Sequence, residues 1–148
     1  MKISTKGRYG LRILMDLAIH QSEKPRLIRD IAKSQQISEK YISRLVIALR
    51  KAGMVRSVRG VNGGFHIAMK PEEITLLDVV EVMEGPLSIV DCVSAPKRCK
   101  LSTNCAPREV WCKLNDDIRG LMGGISLADI LATYEKQNAK DGSMDYCI

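Results

Sequence analysis

Residues 37–69, ISEKYISRLVIALRKAGMVRSVRGVNGGFHIAM, join a capped amphipathic segment to two short apolar runs around a glycine-rich turn. The Ser38 hydroxyl can cap a free backbone N–H, and Glu39 complements the positive end of the helix that begins there. Tyr41, Ile42, Leu45 and Leu49 then form an inward face, and Gly53 stands where the helix stops. Residues 54–58 and 65–69 read as strands, with Asn62-Gly63 signalling a tight hairpin turn between them. The loop is not a nucleotide cradle, which would need a following helix and a Lys-Ser/Thr pair, whereas residues 65–68 read as strand.

Upstream, Leu11, Leu14, Met15 and Ala18 make the stripe of a helix over residues 6–20. After a polar break, Ile28, Ile31 and Ala32 predict a two-turn helix ending near Ser34. A short helix, a brief linker and a longer capped helix followed by a hairpin predict a winged helix-turn-helix, in which the later helix enters the major groove. Lys40, Ser43, Arg44 and Lys51 then point outward. Arg56 and Arg59 lie on or beside the hairpin, where a guanidinium reaches phosphate or a minor groove.

Charge supports a polyanionic partner. Residues 1–70 carry 15 Lys and Arg against 4 Asp and Glu, and residues 71–148 carry 8 against 13. The chain of 148 residues, with 45% hydrophobic and 4% aromatic residues, suits helix-on-helix packing. It shows no membrane-length apolar run and no signal-peptide core, so a cytoplasmic protein is expected. The organisation read here is a DNA-binding unit over residues 1–70 and a second part over 71–148, mostly α overall.

That second part begins with a helix over residues 74–83, halted by Gly85-Pro86. From Pro107 a long helix carries Val110, Trp111, Leu114, Ile118, Leu121 and Met122 as a broad apolar stripe to Gly123-Gly124. Ser126 caps another helix, SLADILATYEKQ, and the residues after Asn138 read as a mobile tail. The long helix has too little of its own chain to cover it, which predicts a homodimer, and two-fold symmetry matches a palindromic site on double-stranded DNA.

Between them, residues 86–106 form a loop holding Cys92, Cys99 and Cys105 with Lys97, Arg98 and Lys100. The spacing C-x6-C-x5-C matches neither the close pairs of zinc ribbons nor a dithiol oxidoreductase motif. Thiolates so spaced can wrap an iron-sulfur cluster, with cations and backbone N–H groups offsetting its negative charge. The alternatives are zinc or free thiols holding the loop for a protein partner. No catalytic dithiol, acid-base pair or nucleotide motif points to an enzyme.

Taken together, MKISTKGRYGLR at the start, ISEKYISRLVIALRKAGMV, RGVNGGF, the cysteine loop, the helix with Trp111 and ISLADIL resemble the iron-sulfur cluster regulators of the winged-helix repressor group that includes the IscR-type proteins. The resemblance implies a dimer held by the long carboxy-terminal helix, a 2Fe-2S cluster in the loop, and promoter binding that changes with cluster status. It places Ser38, Lys40, Tyr41, Ser43 and Arg44 in the DNA-facing region, with Arg59 and Gly60 in the wing. Ser43 replaces an acidic residue of some relatives, which alters site preference.

Cys92, Cys99 and Cys105 match the family's three cysteine ligands. The histidine that follows the third cysteine in IscR-type proteins is Arg108 here, and guanidinium is no ligand. Cys112, one turn further along, is the candidate fourth ligand; Glu109, a ligand from another chain or an open iron site compete with it. Relatives with a 4Fe-4S cluster take an acidic ligand where this chain has Arg8. His20, His66 and Cys147 have no matching role. Members without loop cysteines respond through partner proteins, so a repressor gated by an iron-sulfur assembly protein or other partner is the alternative.

Overall fold

The computed structural model describes residues 3–21 and 24–144, with side chains to Lys140. Nine regular elements follow in order: helices α1 (Thr5–Ile19), α2 (Ile28–Gln35) and α3 (Glu39–Lys51), strands β1 (Val55–Val58) and β2 (Gly64–Ile67), then α4 (Leu76–Glu84), α5 (Asp91–Ser94), α6 (Ala106–Gly123) and α7 (Leu127–Met144). Single 3-10 turns precede α4 and punctuate the stretch between α5 and α6.

Local chemistry sets most of these boundaries. Ser4 caps α1 by accepting from the Lys6 N–H at 3.1 Å, and Ser38 caps α3 by accepting from the Tyr41 N–H at 3.3 Å. Between α2 and α3 the chain reverses through Gln36, in the left-handed conformation at φ 55°. Thr75 and Asp78 cap α4 reciprocally, with Asp78 N–H to Thr75 Oγ1 at 3.1 Å and Thr75 N–H to Asp78 Oδ2 at 3.0 Å.

Two expectations are corrected. The hairpin does not turn at Asn62-Gly63 alone: Val58 pairs with Gly64, leaving residues 59–63 as the loop. The Gly63 N–H donates to the Gly60 carbonyl at 2.9 Å, and the left-handed residue is Gly60, at φ 111°, which asks for glycine because a side chain there is strained. The chain also stays helical past Asn138, with α7 continuing to Met144, the last of the described residues, since Lys136, Ala139 and Lys140 favour helix and no proline intervenes up to that point.

Ile13, Leu14 and Leu17 of α1, Ile31 of α2, Ile42, Leu45 and Leu49 of α3, and Met54, Val55 and Ile67 of the hairpin fill one core. That core continues across residue 70 through Ile74, Val79, Met83 and Leu127. Helix α4 lies so close to α1 that a Cβ on Gly10 would sit 2.8 Å from Met83 Cγ. Among the described residues, no helix is long and apolar enough to cross a membrane.

Candidate nucleic-acid interface and cysteine site

The α3 surface presents Lys40, Arg44 and Lys51 to solvent, and the wing presents Arg56, Arg59 and Gly60. Ser38 is exposed with its hydroxyl engaged as the cap. Tyr41 and Ser43 are half-buried. The Ser43 hydroxyl donates to the Glu39 carbonyl at 2.8 Å, and the Tyr41 ring meets Tyr9 of α1 edge-on at 5.9 Å between centroids. Tyr41 therefore joins α3 to α1, and the exposed reach of α3 comes from Lys40 and Arg44.

Sequence reasoning missed the hub that holds this surface together. Asp16, 1% exposed on the inner face of α1, accepts from Arg26 Nε at 2.9 Å and Nη2 at 3.4 Å, from Ser34 Oγ, and from Gln35 Nε2 at 3.3 Å. Burial pushes the Asp16 carboxyl up, but the hydrogen bonds from Arg26 and Ser34, with the Arg26 charge and Gln35, hold it below the ordinary aspartate range. Arg26 in turn pairs backbone with Phe65 of β2, each N–H donating to the other's carbonyl at 2.9 Å. Arg50 Nη1 also reaches Ser57 Oγ on β1 at 3.4 Å. The wing is thus fastened to the segment that precedes α2 and to α3. The signal was a carboxylate set among Ile13, Leu14 and Leu17 on a buried stripe.

The cysteines are distributed over α5, the stretch that follows it, and α6. Cys92 lies on α5, Cys99 closes a 3-10 turn, Cys105 is the residue before α6, and Cys112 is on α6. All four are half-buried free thiols. Arg108 Nε donates to the Cys92 carbonyl at 3.0 Å, and Asn115 Oδ1, buried, accepts from the Ile89 N–H at 3.1 Å. Arg119 pairs with Glu81 of α4, and the Leu87 N–H donates to Glu81 Oε1 at 2.9 Å. The Arg119 hydrogen bond, against a smaller desolvation effect, holds the Glu81 carboxyl below its ordinary range. One face of α6 is therefore fixed to α4 and to residues 87–92 by polar contacts.

The adjoining face of α6 is apolar and open: Val110 is 64%, Trp111 41%, Leu114 43% and Leu121 71% exposed. As a donor set, free thiols beside Lys97, Arg98 and Lys100 suit an iron-sulfur cluster or another thiophilic metal. Among the described residues no three Cys, His, Asp or Glu converge as a metal-binding group, so the fit lies in the kind and order of the donors. His20 is exposed at the end of α1 and His66 is buried on β2; Cys147 lies outside the described residues.

The sequence model of the Rrf2 family, described as an iron-dependent transcriptional regulator, matches residues 3–133. The chain belongs to the Rrf2 family. It is thereby a DNA-binding transcriptional regulator rather than an enzyme. Among Rrf2-family relatives, the transcriptional regulator CymR of Bacillus subtilis is 40% identical over 134 residues, covering 90% of this chain and 91% of CymR. IscR of Aliivibrio salmonicida is 35% identical over 141 residues, covering 95% of this chain and 83% of IscR.

The solved structure of CymR, the global cysteine regulator of B. subtilis, superposes with TM-score 0.74 and 37% identity over 90% of this chain and 98% of that one. T. potens IscR does so with TM-score 0.73 and 36% identity over 93% and 90%. The winged-helix architecture expected from sequence is that of both.

Proposed function

We propose that the protein is a homodimeric, cytoplasmic regulator whose binding to palindromic promoter DNA depends on a 2Fe-2S cluster held by Cys92, Cys99 and Cys105. Lys40, Arg44, Arg56 and Arg59 carry the phosphate and base contacts, with Ser38, Tyr41, Ser43 and Gly60 shaping the surface around them. The observation that carries the reading is the placing of three half-buried free thiols within residues 92–105, a stretch whose start is tied to α6 by Arg108 at Cys92 and by Asn115 at Ile89. The open apolar face of that same helix is the surface a second copy would cover. When bound, the cluster supplies a redox-sensitive, oxygen-labile charge centre. This chain's residues supply the thiolates, the surrounding cations and, through α6, the link to the dimer seam. Gathering the thiols couples loop order to cluster binding.

A second reading has its own support. The chain is 40% identical to CymR, and no three ligands converge in the described chain. On that reading the same winged helix responds through thiols, zinc or a protein partner, with no cluster. Purification without oxygen separates the two: charge-transfer bands with about two irons and two sulfides per chain, lost in Cys92→Ala, support the cluster. A protein that stays colourless after reconstitution, or one holding stoichiometric zinc without sulfide, refutes it and favours the second reading.

A further inference from the structure

We infer that Ile47 reads a thymine methyl group in the major groove and so sets part of the protein's base preference. This rests on the docking of α3 proposed above and is independent of how the cysteines are used. At about 100° per residue, positions 42, 45, 46 and 49 cluster on one side of α3, and Ile42, Leu45, Val46 and Leu49 are buried there in the core. Position 47 falls nearly opposite, and Ile47 is 48% exposed. On the same wheel positions 40 and 51 lie within about 40° of it and position 44 about 60° to that side; Lys40, Lys51 and Arg44 are all exposed. Position 50 lies about 60° to the other side, and Arg50 Nη1 reaches Ser57 Oγ of β1 at 3.4 Å. Ile47 therefore stands in the middle of the cationic face, between Arg44 and the side of α3 that meets the wing.

Helix formation does not ask for isoleucine at this position, since a β-branched side chain is a poorer helix former than the Lys, Gln or Glu of an ordinary solvated face. The surface that α3 meets does ask for it. Cations pair with phosphates and with guanine, whereas the apolar group that base pairs offer in the major groove is the C5-methyl of thymine. Arg44 and Ile47 are three residues apart, about 4.5 Å along the helix axis. With stacked pairs about 3.4 Å apart, the methyl lies within about two base pairs of the base that Arg44 reads. The contact is apolar, so its contribution, unlike those of Lys40 and Arg44, does not fade as salt rises.

The probe is a duplex selected from a random pool by the full-length wild-type protein prepared without oxygen, in which each thymine is replaced in turn by deoxyuridine, deleting the methyl alone. Affinities are measured at low and high salt for the wild type, Ile47→Ala, Ile47→Val and Arg44→Ala. A deoxyuridine within about two base pairs of the position relaxed in Arg44→Ala should weaken wild-type binding about fourfold, the worth of one buried methyl group, by the same factor at both salts. Ile47→Ala should bind the thymine and deoxyuridine duplexes alike. Should the alanine variant bind no duplex, Ile47→Val, shorter by one methylene, decides instead, with a deoxyuridine penalty smaller than that of the wild type. Wild-type binding indifferent to every deoxyuridine, or a penalty undiminished in the Ile47 variants, overturns the assignment, while the docking of α3 survives if Arg44→Ala still weakens binding. Wild-type affinity in Arg44→Ala as well, or a wild-type protein that selects no duplex, overturns both.

Discussion

Replacing Asp16 with Ala removes the acceptor for Arg26, Ser34 and Gln35 in one step. The Arg26 side chain, 21% exposed, is left with its charge largely buried and without its carboxylate. Breaking a buried pair costs about 3–5 kcal/mol and a single charged hydrogen bond about 1.5–3 kcal/mol, so a loss of about 3–4 kcal/mol is expected. At about 2–4 °C per kcal/mol for a chain of this size, that is a fall in Tm on the order of 10 °C. Urea and thermal unfolding of cluster-free protein at fixed concentration measure it, since dimerisation and cluster binding would otherwise shift the apparent stability. The Asp16→Leu, Arg26→Met pair should recover much of the loss, because an apolar pair avoids the desolvation cost. A loss below about 1 kcal/mol in Asp16→Ala would refute the assignment of Asp16 as the hub. The pH dependence has a definite sign. The folded pKa lies below the unfolded one, so the stabilisation is complete above about pH 4 and lost as pH falls through the lowered value, and Asp16→Ala should lack this acid-dependent component.

Arg59→Ala should weaken DNA binding and reduce the steepness of its salt dependence by about one charge, whereas Arg44→Ala should also relax base preference; titrations at several salt concentrations distinguish these effects, and wild-type affinity in both would remove the proposed docking. Leu114→Glu with Leu121→Glu places charges on the open face of α6 and should yield a folded monomer by sedimentation, while a persistent dimer would move the interface elsewhere.

Much of the architecture was legible because short-range chemistry dictates it. Ser38, Gly53 and the apolar spacing of α1 and α3 fix those helices within their own sequence neighbourhood. The wing was legible as a hairpin but not in its turn, because Asn62-Gly63 and Gly60 both offer turn chemistry and only strand register selects between them. The Asp16 hub was hidden for a different reason: its partners at 26, 34 and 35 come from another helix and its preceding linker. The cysteine spacing marked a candidate donor set, whereas the fastening of residues 89–92 to α6 depends on contacts from Arg108 and Asn115 to segments well upstream.

The reciprocal backbone pair between Arg26 and Phe65, with Asp16 beneath it, has a consequence for what is recognised. A hairpin stitched to the helix scaffold cannot swing to follow the duplex, so the protein meets DNA as a stiff template. Conformity must then come from the double helix itself. With α3 and the wing docked as proposed above, base steps that bend or narrow easily between their contacts would become part of the preferred site although no side chain touches them, and operators alike in contacted bases would be ranked by their stiffness.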